Sequence, residues 1–349
     1  MRRACATPSS SRRCRLIEDD AAFALVVPTF EGTPFLRRLL DWLKEGGYPG
    51  YVVLSDDSSG THREFVASCP ERYPGLWIDV DAHPHPTPFL GKLASTLSRL
   101  EARHVMLCAQ DDFVDAGALE RLLALLESDD GLSCARGRIA RFRVTAGEAG
   151  ARDARLDWNK HAMLAYEEAT PLERVLAHLR RYTATLYSVH RRERLLDAFR
   201  RTAAATRSAI FFQYLSSCLC VAMGRVACTD DLFLLRQIQP QSWSATMPEG
   251  DYEHWPLLVT SPAYSTYYQE FRGALAGYLA ALPGGGDGEA IGRAIDREFP
   301  ALIRRTFGGQ SVSDPANDAF FARLGKAGTP EHALVNRVAR FVLRYDGTY

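Results

Sequence analysis

Short apolar runs alternate with amphipathic stretches along the first third of the chain, and that alternation predicts the fold class. Phe23–Val27 reads as a buried strand, ending at Pro28, Thr29, Phe30, Glu31 and Gly32. A helical pattern follows at once. Phe35, Leu36, Leu39, Leu40, Trp42 and Leu43 recur at helical spacing, with Arg37, Arg38, Asp41 and Lys44 between them, and Gly46-Gly47 stops the helix. Tyr51–Leu54 is a second strand, closing on Ser55, Asp56, Asp57, Ser58, Ser59 and Gly60. A third apolar stretch, Leu76–Val80, leads into a Pro- and His-rich loop. An amphipathic helix through Lys92, Leu93, Leu97 and Leu100 then precedes the run Val105–Ala109, which delivers Asp111 and Asp112. Strands separated by helices imply an α/β protein, a mostly parallel sheet with helices on its faces. Such sheets bind ligands beyond the carboxyl ends of their strands. Three polar clusters fall there: Pro28 to Glu31, Ser55 to Ser59, and Asp111 with Asp112.

The acidic pair is the most informative of the three. Two carboxylates so close repel each other and hold a proton unless a cation neutralises them. A divalent magnesium or manganese ion bound to a diphosphate does so, because hard oxygen ligands suit both metals. The competing reading is a solvated acidic turn whose second aspartate caps a helix from Gly117 onward.

In their order, these pieces resemble the family 2-type glycosyltransferases of the GT-A fold, a Rossmann-like, mostly parallel sheet flanked by helices. The likeness is carried by Val26–Glu31, Val53–Gly60, Phe89–Leu93, Ala109–Phe113, Tyr187–Arg192 and Leu232–Gln237, and it spans roughly residues 22 to 240. It implies a nucleotide-diphosphate sugar as donor and a divalent metal as cofactor. Pro28, Thr29 and Glu31 then start a loop over the nucleotide. Asp56 or Asp57 accepts hydrogen bonds from the base, as an acceptor-only carboxylate suits the imide of a uridine-like nucleoside. Lys92 lies near base or diphosphate, Gln110 reaches a ribose, and Asp112, with Asp111 beside it, ligates the metal. Two positions depart from the pattern. Gln110 stands where relatives carry a third acidic residue, and Gln213 stands at the position of the general base. An amide takes no proton from an attacking hydroxyl at neutral pH, so Asp230, Asp231 and His190 become the alternative bases.

Composition changes this picture little. The 349 residues carry 42 basic and 42 acidic side chains, which advertises no nucleic-acid partner. Local clusters, Arg136, Arg138, Arg141 and Arg143 and then His178 to Arg181, read mainly as exposed faces. Tyr182, Tyr187, Phe211, Phe212 and Tyr214 read as core before they read as the floor of a sugar pocket. Eight scattered cysteines with no zinc-site spacing fit a reducing compartment, and with it a cytoplasmic protein. The first 15 residues are basic and lack the apolar core of a secretory signal. Ser208 to Gly224 is uncharged but falls short of a membrane span, so a buried helix is expected and no integral membrane segment.

The chain divides into a flexible N-terminus (1–20), a GT-A glycosyltransferase domain (21–240) and a C-terminal helical region (241–349). The last begins with an irregular crossing in which His254 and Trp255 are candidate lid residues, with a plain connecting segment as the alternative. It continues as helical patterns over Tyr264–Leu282, Glu289–Phe307, Pro315–Leu324 and Pro330–Arg344, which cover the acceptor side or form a homodimer contact. The expected partners are a nucleotide sugar and a hydroxyl-bearing acceptor, a glycan or a small molecule, with inversion as the expected course. Three other classes are weighed. A methyltransferase needs a Gly-rich loop where Pro28-Thr29 stands, and a nucleotidyltransferase needs a Gly-rich basic loop near the same place. A nucleotide-sugar-binding protein that has lost its base remains, given Gln110 and Gln213.

Overall fold

The structure, a computed structural model, describes residues 19–146, 152–157, 163–238, 263–308 and 315–345. The crossing segment with His254 and Trp255 lies outside the described residues.

Among the described residues, nine strands form one sheet. Its first half is parallel: β1 (Phe23–Thr29) lies between β2 (Tyr51–Asp56) and β4 (His104–Leu107), with β3 (Trp77–Ala82) outside β2. The rest is mixed: β5 (Phe113–Val114), β6 (Leu132–Ala146), β7 (Arg152–Asp157), β8 (Val189–Arg191) and β9 (Arg225–Gln237). The order is β3-β2-β1-β4-β8-β6-β9-β5, with β7 added to β6. β8 is antiparallel to β4 and β6, β5 is antiparallel to β9, and β6 runs parallel to β9.

Strand alternation sends side chains to two buried layers. Phe23, Leu25 and Val27 enter one, Ala24 and Val26 the other. Helices α1 (Thr33–Glu45), α2 (Gly60–Arg72) and α4 (Ala116–Ser128) cover the first layer. Helices α3 (Phe89–Arg99), α5 (Pro171–Arg180), α6 (Arg192–Ala205) and α7 (Ala209–Met223) cover the second. Burial on both faces explains the near-continuous apolar runs of the strands. α7 is the buried helix expected at 208–224, and no helix among the described residues is long and apolar enough to cross a membrane.

The C-terminal third adds α8 (Ala263–Ala281), α9 (Gly288–Gly308), α10 (Pro315–Leu324) and α11 (Pro330–Val342), within two residues of the expected helices. They divide between the layers. Phe271, Leu275, Ile295 and Phe299 of α8 and α9 join the layer of α7, whereas Phe320, Phe321, Val338 and Phe341 of α10 and α11 join that of α1. α2 buries only Phe65, Val66 and Cys69 and contains Pro70, too sparse a pattern to announce a helix.

Candidate active site

The parallel register brings three strand ends to one edge. Thr29 pairs with Asp56 across β1 and β2, Val26 pairs with Leu107 across β1 and β4, and Cys108 N donates to Val26 O at 2.9 Å. At the β1–β2 side, Thr29 Oγ1 donates to Asp56 Oδ1 at 2.7 Å, and Ser58 N donates to the same oxygen at 3.2 Å. Asp57 forms a buried ion pair with Lys92, whose Nζ also donates to Thr29 O at 2.9 Å. The other Asp57 oxygen accepts from Thr87 N at 3.1 Å. Both of its oxygens are thus engaged within the protein, and Lys92 braces β1 against the end of β2.

Around this pair the loops are tied together. Glu31 adopts a left-handed backbone (φ 46°), unusual for a residue with a side chain. Its carboxylate accepts from Ser59 N at 2.7 Å and Ser59 Oγ at 2.8 Å, and lies 3.3 Å from His62 Nε2. Burial pushes its pKa up, but the Ser59 hydrogen bonds and the charges of His62 and His85 prevail and hold it below the ordinary value. Phe30 is 37% exposed at the mouth of the site and stacks on His85, ring centroids 5.8 Å apart. His85 Nδ1 in turn lies 2.7 Å from Asp57 O. Neither Phe30 nor His85 stands out by residue type, and the one sequence signal at this place is an aromatic residue directly after a strand end.

The acidic turn is built from four distant segments. Gln110 Nε2 donates to Phe30 O at 3.2 Å, joining the turn to the β1 loop. Arg38 of α1 is fully buried, lies over the Phe113 ring at 4.9 Å and donates to Asp111 O at 2.9 Å. Burial draws its pKa down to about 10 against the pull of Asp111 and Asp112, so it stays charged at neutral pH. Asp112 is 1% exposed. Its Oδ1 accepts from Gln237 N at 3.2 Å, while Oδ2 accepts no hydrogen bond and lies 3.5 Å from Arg236 Nε. Arg236 rests on the Tyr187 ring at 4.1 Å. Burial, aided by Asp111, pushes the Asp112 carboxyl up to about 8, with Arg236, the Gln237 N–H and Arg38 opposing. The solvated-cap alternative is corrected: α4 is capped by Asp115, whose Oδ1 accepts from Ala118 N at 2.8 Å. Asp112 is buried at the sheet end instead.

The residues weighed as base are not gathered at this turn. Asp230 pairs with Arg138 at 2.8 Å and Asp231 with Arg121 at 2.7 Å. Both lie five or six residues before Arg236 on β9, a separation of roughly 15–20 Å along a strand. His190 is buried in β8 with Nε2 2.8 Å from Thr185 O, and burial draws its pKa down to about 4, which keeps it neutral. Gln213 stands on the exposed side of α7. Two arginines expected on an exposed face are buried: Arg136 donates to the carbonyls of Leu164, Thr183 and Ala184, and Arg138 to that of Met163. Carbonyls of the segments at 163–164 and 183–184 satisfy guanidinium groups that a sequence pattern assigns to water. Phe211, Phe212 and Tyr214 are core, as expected, whereas Tyr187 belongs to the acidic turn.

No family model and no curated protein matches this chain. Solved structures do. The crystal structure of S. aureus TarS superposes with a TM-score of 0.52 at 14% identity, covering 94% of this chain and 50% of that one, so the chain spans half the length of that protein. A TarS fragment, residues 1–349 of that protein, gives a TM-score of 0.51 at 13% identity and covers 93% and 81%. The mannosyltransferase PcManGT of Pyrobaculum calidifontis, solved with GDP-Man and Mn2+, gives 0.42 at 13% identity over 93% and 81%. With the parallel β3-β2-β1-β4 half, the mixed half and the acidic turn after β4, the chain has the GT-A fold.

Proposed function

We propose that this protein is a metal-dependent glycosyltransferase that moves a sugar from a nucleotide-diphosphate donor, a UDP-sugar first among them, to a hydroxyl acceptor. The observation that carries the reading is the buried Asp112 carboxylate, with an oxygen that accepts no hydrogen bond, at the strand edge shared with Thr29, Asp56, Asp57 and Lys92.

The residues fit the metal. A magnesium or manganese ion carried by a diphosphate takes one or two carboxylates from the protein and its remaining ligands from phosphate and water. Asp112 and Asp111 form such a set, and no cluster of three or more acidic, His or Cys side chains that could hold a metal exists among the described residues. Once bound, the ion neutralises charge on the departing diphosphate. The chain's own groups do the rest. Arg38 and Gln110 hold the turn in place. Phe30 with His85 offers a flat face for the nucleobase beside Asp57. Lys92 keeps the two strand ends together. Displacement is proposed as a single inverting step, with the acceptor oxygen attacking opposite the diphosphate.

One set of observations favours a second reading, a nucleotide-sugar-binding protein without transfer. Gln213 is an amide, and Asp230, Asp231 and His190 are committed elsewhere. Titrating UDP with and without manganese, then assaying hydrolysis and transfer over a panel of nucleotide sugars, separates the two. The parent is expected to bind UDP in a manganese-dependent way, and Asp112→Ala to lose that dependence while keeping its far-UV spectrum. Unchanged manganese dependence in the variant sinks the assignment. Binding without turnover across the panel supports the second reading.

A further inference from the structure

Asp112 already faces a cation of the protein. Its Oδ2 lies 3.5 Å from Arg236 Nε, while the Gln237 N–H fixes Oδ1 at 3.2 Å. Two carboxyl groups, those of Asp111 and Asp112, therefore stand near two guanidinium groups, Arg38 and Arg236. The two arginines are not equivalent. Arg38 is fully buried and bound to a backbone oxygen. The Arg236 side chain is 33% exposed against 1% for Asp112, its Nε makes no hydrogen bond, and its main support is the face of Tyr187.

We propose that Arg236 and the divalent ion are alternative partners of Asp112 Oδ2. When metal takes that oxygen, Arg236 passes to the donor's diphosphate, so metal and nucleotide bind as a coupled pair. The inference rests on the metal-dependent reading above. Electrostatics supports it. A divalent ion entering alone brings two positive charges into a poorly solvated turn and displaces Arg236 from Asp112. A diphosphate entering alone meets an arginine already held by Asp112. Entering together, each supplies the charge the other displaces. A guanidinium suits the second position, since its planar fork matches phosphate oxygens bidentately. Tyr187 gives it a surface to pivot on without losing contact.

The test is calorimetric titration of the full chain with MnCl2 alone, with UDP alone, and with each in the presence of the other. In the parent, UDP is expected to tighten manganese binding by at least about fivefold, the low end of usual couplings between sites. Manganese tightens UDP binding by the same factor, because coupling is reciprocal. Arg236→Met is expected to bind manganese alone more tightly than the parent, to bind UDP more weakly in the presence of manganese, and to show smaller coupling than the parent, the remainder coming from direct metal–phosphate contact. A purely structural loss does not tighten metal binding. Should the methionine variant fail to fold, Arg236→Gln reads the same three quantities. Manganese affinity that is unchanged or weaker in the variants, or coupling as large in them as in the parent, overturns the exchange while leaving the functional reading intact. A parent that binds neither manganese nor UDP overturns both.

Discussion

The ion pair between Asp57 and Lys92 shows what a strand end demands of single residues. Both side chains are nearly inaccessible, so each charge depends on the other. Removing one partner of a buried pair costs about 3–5 kcal/mol, because the remaining charge is left uncompensated. Lys92→Met is therefore expected to lower the unfolding free energy by about 3 kcal/mol in urea titrations, and Lys92→Met with Asp57→Asn to recover part of the loss. A single-variant cost below about 1 kcal/mol contradicts the bracing role. Asp57 and Asp112 are conspicuous in the sequence because they follow apolar runs at strand ends, whereas Lys92, inside α3, is singled out only by the family resemblance. Arg236, Tyr187 and Arg38 are not conspicuous. Arg37 and Arg38 are neighbours on α1, and only the sheet beneath decides that Arg38 is buried against Phe113 while Arg37 lies over Phe65. Nor does spacing announce that Gln237 closes on Asp112 across 125 positions.

At the scale of elements, the C-terminal helices support the site from below. Phe341 of α11 packs edge-on to Trp42, 5.3 Å between ring centroids, and to Phe113, at 6.0 Å. Phe113 directly follows the acidic turn and carries Arg38 over its face. Truncating a buried phenylalanine costs about 3–5 kcal/mol through lost contacts and a residual cavity. Phe341→Ala is thus expected to destabilise the whole chain by about 3 kcal/mol in a single cooperative transition. A separate early transition of the C-terminal helices, with the sheet unaffected, contradicts this coupling. Helix positions after Pro262 are readable because three of the four begin at or next to a proline and all repeat apolar residues at helical spacing. Their division between two layers is not, since periodicity marks an apolar face without naming its partner. β6 was missed for a related reason: alternating arginines in a strand look solvated until carbonyls from other segments close on them.

For the whole molecule, buried histidines link stability to pH. His190 in the folded chain stays neutral down to about 4, whereas an unfolded imidazole protonates near 6.5. The unfolded state therefore binds more protons between those values, so the His190 contribution is complete above 6.5 and falls as pH drops toward 4. At pH 5 the loss is about 2 kcal/mol. His178 shifts in the same direction, while Asp112, raised to about 8, works in the opposite sense. The comparison that isolates His190 is the pH dependence of urea unfolding in the parent and in His190→Asn. The parent should lose about 2 kcal/mol more between pH 7 and 5, and equal slopes count against a neutral buried imidazole. The strand–helix alternation, the three polar strand ends and the buried helix at 208–224 follow from sequence alone, because burial on two faces and on one helix leaves periodic traces in local composition. The tertiary structure alone decided the partners: which arginine meets which carboxylate, which helices cover which face, and why Asp230, Asp231 and His190 stand away from the acidic turn. Those are distances between segments far apart along the chain, set by sheet register and by packing between layers, and they leave no periodic trace in local composition.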